Sequence, residues 1–231
     1  MIPPGEGEVS VVWQRHHFAY AYAAALAAGA RVVDVGCGTG YGAALLAETA
    51  AHVTALDYDQ AAIAYAQAHY ARPNVDFRVA RAEDLAGVGA YDLALSFQVV
   101  EHVPDVDAFV ARLKAAVRSG GRVLLTTPNL KRRLPASEAN PFHVSEMTHA
   151  EFSALMARHF ASYEVLGVGY PPLPGWVRLV KRTPLYRWGR RLSRGSALKR
   201  AGSQALGLTR FALLHARVAE EAVDLLGVGV V

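Results

Sequence analysis

Apolar positions along the chain fall into short β-branched runs separated by stretches with helical spacing. Residues 32–35, 53–56, 75–79, 93–97, 122–126 and 162–168 read as strands. Residues 13–28, 41–49, 60–70, 106–117 and 148–159 read as the helices between them. Strands this continuously hydrophobic suit a parallel sheet covered on both faces. Their alternation with helices predicts an α/β fold with a Rossmann-like sheet. Boundary residues agree. Gly29 ends the first helix, Pro73 stops the third, and Gly120-Gly121 reads as the cap closing the fourth. Thr148 followed three residues later by Glu151 is a capping box opening the fifth. Pro171-Pro172-Leu173-Pro174-Gly175 then breaks the pattern. Residues 176–222 read as an Arg- and Leu-rich helical insertion, and 225–230 as a returning strand.

The densest chemical signal lies between the first strand and the second helix, in Asp34-Val35-Gly36-Cys37-Gly38-Thr39-Gly40-Tyr41. Glycines at 36, 38 and 40 let backbone approach a ligand and turn sharply, and the following helix amides favour a polar or anionic group. Asp57 ends the next strand, where a carboxylate can accept hydrogen bonds from ribose hydroxyls. A dinucleotide fingerprint begun at Gly36 would need glycine at 41, where the chain has Tyr41. The pattern is G-x-G-x-G instead.

This segment resembles motif I of the class I S-adenosylmethionine (SAM)-dependent methyltransferases, and Asp57 resembles their ribose-binding acid. Arg81-Ala82-Glu83-Asp84-Leu85 resembles the stretch that lines the adenine, with Ala80 and Arg81 in place of the usual Gly and Asp. Glu83, Asp84 or a backbone carbonyl then takes the adenine amino group. Ser96 to Val103, containing Gln98, Glu101 and His102, is similar to the segment after strand four of the ubiquinone/menaquinone-type enzymes. Thr126-Thr127-Pro128-Asn129 and Asn140-Pro141-Phe142-His143-Val144-Ser145-Glu146 are similar to a branch containing sugar and glycan O-methyltransferases. Arg15-His16-His17-Phe18 resembles that branch's N-terminal helix, which closes over SAM.

The resemblance spans roughly residues 12–170. It implies a seven-stranded methyltransferase sheet with helices on both faces, the last strand antiparallel and the 176–222 insertion capping the acceptor side. It also implies SAM as cofactor, S-adenosylhomocysteine as product, and transfer to a hydroxyl of a small polar acceptor, a sugar or glycan first. The implied cofactor residues are Arg15, Asp34, Gly36, Gly38, Gly40, Asp57, Tyr58, Ala82, Glu83 and Gln98. Alternatives are a lipid, quinone or anionic acceptor, or a non-catalytic SAM-binding module whose basic tail engages a partner.

Hydroxyl acceptors are poor nucleophiles and benefit from a base. His143 leads, because imidazole titrates near ~6.5 and its loop follows strand five on the ligand-binding edge of the sheet. Glu101 and His102 compete for the role, against simpler readings in which Glu101 caps the following helix, His102 packs under Pro104 and His143 holds Asn140 or Glu146 in place. Asn140-Pro141-Phe142 falls after strand five, whereas the Asn-Pro-Pro-Tyr motif of nucleic-acid amino-methyltransferases follows strand four, so base methylation is disfavoured. The nine histidines contain no H-x-x-x-H spacing and the single cysteine no C-x-x-C, so no zinc motif is indicated. A Mg2+ held partly by substrate would leave little trace.

Composition adds bounds. At 231 residues, 52% hydrophobic and 19% charged, the chain reads as one folded domain. The lone Cys37 fits a reducing compartment, and neither a signal-peptide pattern nor a bilayer-length apolar run is visible, which points to the cytoplasm. Net charge is +4, yet residues 1–170 carry 13 Lys/Arg against 17 Asp/Glu, and residues 171–231 carry 11 against 3. The basic stretch 178–200, with Trp188 and Leu192 interleaved, suits an anionic substrate, peripheral membrane contact or a solvated face. Specific nucleic-acid binding is not expected, and oligomeric state is not legible.

Overall fold

The computed structural model describes residues 11–85, 89–130, 142–169, 212–214 and 222–231. Parallel strands β1 (Arg31–Val35), β2 (His52–Asp57), β3 (Val75–Val79), β4 (Tyr91–Phe97) and β5 (Val117–Pro128) form one side of a sheet. It continues through β8 (Asp224–Val230), β6 (Ser162–Gly169) and the short β7 (Ala212–Leu214), in the order β3-β2-β1-β4-β5-β8-β6-β7. β8 is antiparallel, as the sequence pattern and resemblance lead one to expect, and it inserts between β5 and β6. β7 adds an eighth strand on the outer edge of β6.

Helices cover both faces because successive strand residues point to opposite sides. Val32, Leu124 and Leu226 join a core with α1 (Val11–Leu26), α2 (Tyr41–Leu46) and α3 (Gln60–Tyr70). Their neighbours Val33, Leu125 and Leu225 join the other core, with α4 (Val106–Ala116) and α5 (His149–His159). The capping box at α5 is present: Glu151 N–H donates to Thr148 Oγ1, and Thr148 N–H donates to Glu151. Asp105, not Glu101, caps α4, accepting from Ala108 N–H at 2.9 Å.

Three expectations change. Gly120-Gly121 does not cap a helix; α4 already ends at Ala116, and both glycines lie within β5. Gly120 has φ +78°, and a Cβ on Gly121 would sit 2.6 Å from the Asp92 carbonyl oxygen. The register between β4 and β5 slips there, so the pair makes a bulge. α2 stops at Leu46, short of residue 49. Residues 212–214, read as helical, are a strand; the rest of the insertion up to residue 221, including the basic stretch 178–200, lies outside the described residues.

Strand order reverses between β1 and β4, which places a crevice at the carboxyl ends of the parallel strands. Every candidate site residue from the first strand onward lies at or just beyond that edge. Among the described residues, no helix is long and apolar enough to cross a membrane.

Candidate functional site

The glycine turn is shaped by what surrounds it. Gly36, Gly38 and Gly40 all have positive φ (+82°, +54° and +86°), which L side chains rarely adopt. A Cβ on Gly36 would lie 2.3 Å from Val99 Cγ2, so only glycine lets the loops after β1 and β4 approach this closely. Gln98, beside Val99, has φ +58°, an uncommon state for a side-chain-bearing residue. Its N–H donates to the Thr126 carbonyl at 3.0 Å, and its Nε2 donates to Thr126 Oγ1 at 3.2 Å.

Asp57 reaches back to the turn. Its Oδ2 accepts from Gly38 N–H at 2.8 Å and its Oδ1 from Asp59 N–H at 2.9 Å. Each oxygen keeps a further lone pair for ribose hydroxyls. Beside it opens a depression of about 430 Å³ lined by Gly38, Thr39, Tyr58 and Tyr65 among others. Tyr58 is 77% exposed at its rim. Ala82 and Glu83 lie in a 3₁₀ turn just beyond β3, on the same edge. A turn with three positive-φ glycines and the Asp57 carboxylate hydrogen-bonded against it are compatible with the adenosyl portion of SAM on this edge.

Two of the implied cofactor residues have partners within the protein. Asp34 is 0% exposed, and both its carboxylate oxygens are engaged within the protein. Tyr20 Oη donates to both its oxygens, at 3.1 and 3.3 Å, and the Tyr20 ring crosses Gly42 so closely that a Cβ there would lie 2.2 Å away. Asp34 is therefore a positioning group behind the turn. Arg15 lies on α1, but its Nη1 donates to Asp224 Oδ1 at 2.6 Å in a nearly buried ion pair. Its charge is committed to the start of β8, not displayed to a cofactor carboxylate.

Burial pushes the Asp34 carboxyl up to about 7, with the Tyr20 hydrogen bond opposing and the Asp57 charge adding. A raised carboxyl favours the folded state fully below its unfolded value near ~3.9 and loses that contribution as pH rises through about 7. Asp34→Asn, which keeps an acceptor for Tyr20, should therefore stabilise the chain at about pH 8 by on the order of 1–4 kcal/mol and do little near about pH 4. Thermal melts at both values check this, and an equal difference at the two would refute it.

The acceptor-side candidates, which compete in the sequence, come together here. The segment after β4 is a 3₁₀ turn, Val100–His102. The chain after β5 folds back onto it. Val144 and Ser145 N–H donate to the Glu101 carbonyl at 2.8 and 3.0 Å, and Ser145 Oγ donates to the Val103 carbonyl at 2.8 Å. His102 and His143 then meet edge to face, ring centroids 4.7 Å apart. His102 Nδ1 lies 2.9 Å from the Phe142 carbonyl oxygen, and His143 Nδ1 lies 2.7 Å from Glu146 Oε1. Glu101 is 1% exposed and accepts from Thr127 Oγ1 at 3.4 Å. Burial first, then the Asp224 and Glu146 charges, push its carboxyl up to about 8 against its hydrogen bonds.

Sequence reasoning missed Tyr20, Thr127 and Asp224. Tyr20 reads as one more apolar helix position, and Asp224 gives only a faint signal, an acid opening an otherwise apolar strand. Asn140 lies outside the described residues.

A family model described as "Methyltransferase domain" matches residues 33–125, from β1 through most of β5. A "Probable S-adenosylmethionine-dependent methyltransferase" of Mycolicibacterium smegmatis is 38% identical over 169 residues, covering 71% of this chain and 65% of that protein. A ubiquinone biosynthesis O-methyltransferase of Mesorhizobium japonicum is 41% identical over 104 residues, covering 44% of this chain and 42% of that protein. This chain thus spans less than two thirds of the length of the curated relatives it matches, 65% and 42% for these two. In fold, it is similar to the crystal structure of a SAM-dependent methyltransferase from Mesorhizobium loti, with a TM-score of 0.58 and 17% identity over 96% of this chain and 98% of that one. The glycine turn, the acid ending β2, the strand order and these likenesses agree: this chain belongs to the class I SAM-dependent methyltransferase family, and its cofactor is SAM.

Proposed function

We propose that this chain methylates a hydroxyl oxygen of a small acceptor. The observation that carries this reading is the convergence of Glu101, His102 and His143 just beyond β4, where Glu101 lies two residues after Val99, the residue that packs against Gly36. When bound, SAM supplies a methyl group on a sulfonium, an already activated donor. The protein's task is then to orient the acceptor, exclude water and remove its proton as the O–C bond forms and the S–C bond breaks. Glu146 accepts from His143 Nδ1–H, which leaves the Nε2 lone pair to take that proton.

Sugar or glycan hydroxyls are the first acceptor class, on the likeness of the 140–146 segment. A phenolic acceptor carrying an apolar group is the second reading. It is favoured by the name of the Mesorhizobium japonicum relative and by Phe142 (73% exposed) and Val144 (60% exposed) flanking His143. Incubation with methyl-labelled SAM and panels of sugars and phenols tests both. Label recovered on oxygen supports the proposal, while label on nitrogen or carbon, or none from any panel or cell extract, overturns it.

The donor side has its own expected outcome. Asp57→Ala should weaken SAM binding by roughly 10–100-fold, the scale of losing charge-assisted hydrogen bonds that also brace Gly38. Calorimetry giving equal affinities for the two proteins would remove Asp57 from the ribose site.

A further inference from the structure

We propose that Glu101, His102 and His143 form a binding site for one divalent transition-metal ion of the zinc class. One ligand atom from each residue, a carboxylate oxygen or a ring nitrogen, lies within 4.8 Å of the others. Ligands around a four-coordinate zinc at about 2.0–2.2 Å sit somewhat closer than that, so modest side-chain closure completes the set. Two imidazoles and one carboxylate are a ligand set that leaves a position open for water or substrate.

The surroundings prepare both imidazoles as ligands. A carbonyl oxygen can only accept, so His102 Nδ1 donates to Phe142. The Glu146 carboxylate likewise accepts from His143 Nδ1. Each ring then carries its lone pair on Nε2, the arrangement in which a carboxylate or carbonyl behind a histidine fixes its tautomer and raises its basicity toward a metal. The third ligand is anchored as well. Glu101 is buried beside Thr127, and its own backbone carbonyl holds the loop that carries His143. Nearby, Arg15 is paired with Asp224, and a bound ion would hold the buried Glu101 in its ionised form. Sequence spacing gives no hint of this set, because His143 lies 41 residues after His102.

This inference rests on reading the cluster as the acceptor side of the site. An ion there would hold the acceptor oxygen and favour its ionised form, with His143 serving as ligand instead of taking the proton itself. The two ideas separate experimentally. Chelator-treated, tag-free full chain is titrated with Zn2+ by calorimetry, and with Co2+ by visible absorption, with neither SAM nor acceptor present.

The expected result is one ion per chain and Co2+ bands of a tetrahedral or five-coordinate site. Both should be lost in His102→Ala and His143→Ala. Glu146→Gln, which alters only the brace behind His143, should weaken binding by about 10–100-fold. His159→Ala, at the exposed His159–Asp107 pair, should leave the tight site unchanged. Circular dichroism confirms folding, and His143→Gln replaces His143→Ala if the latter does not fold. No stoichiometric binding, or equal binding in the His102 and His143 variants, overturns the metal site. Methyl transfer to oxygen that persists in chelator would then leave the proposed function standing. Tight metal binding without any methyl transfer would do the reverse.

Discussion

Removing residues 224–231 is expected to abolish the cooperative unfolding transition of this chain. β8 is an interior strand: seven of its residues pair with β5 and seven with β6. Its loss would strip hydrogen bonds from both neighbours and detach β6 and β7 from the sheet. Leu225 and Leu226, both fully buried, enter opposite cores. Gly227 and Gly229 form the floor on which α5 sits; a Cβ on Gly227 would lie 2.8 Å from Met156 Sδ, and one on Gly229 2.4 Å from the Phe160 ring. Truncation therefore also exposes Phe152, Met156 and Phe160. At about 1.5–3 kcal/mol per large buried apolar side chain, these five residues alone approach the ~5–15 kcal/mol that a domain has to lose. Thermal melts and amide exchange provide the check. A truncated chain with a wild-type melting temperature would show that β8 contributes nothing. The milder Gly229→Ala should cost about 1–3 kcal/mol, because it pushes Phe160 out of place without removing the strand.

The largest functional effect is expected from His143→Ala. Turnover should fall by roughly 10²–10⁴-fold, the scale of a positioned acid or base, while SAM affinity barely changes. The split follows from geometry. His143 is braced by Glu146 and abuts His102, whereas the donor side is built from the glycine turn and Asp57. The alanine variant keeps the backbone bonds from Val144 and Ser145 to Glu101 that seat the loop, so the loss should be local. Turnover and SAM binding of His143→Ala, His102→Ala and Glu101→Gln are measured side by side. A loss dominated by His143 assigns proton removal to its imidazole, and parallel losses in all three follow if they jointly hold a cation. Near-normal turnover in His143→Ala would show that orientation and desolvation suffice without this residue.

The alternating architecture is legible in residue order, because apolar periodicity and caps are local signals: six strands, the returning strand, and the Thr148–Glu151 box appear where the pattern puts them. The glycine turn and Asp57 are legible there too, because a turn of positive φ and the end of the next strand are set by nearby residues. Long-range placement was decided only by the tertiary structure. Asp34 looks like a ligand beside the glycines, but strand alternation turns it inward beneath Tyr20. Arg15 looks free on its helix, yet a partner 209 residues away claims it. Gly120-Gly121 fits a helix cap locally, and only its pairing against β4, where the register slips, makes it a bulge. Glu101, His102 and His143 read as rivals because they are far apart in sequence. Loop closure after β5 makes them one cluster, and such closure depends on backbone bonds between distant segments that no local pattern encodes.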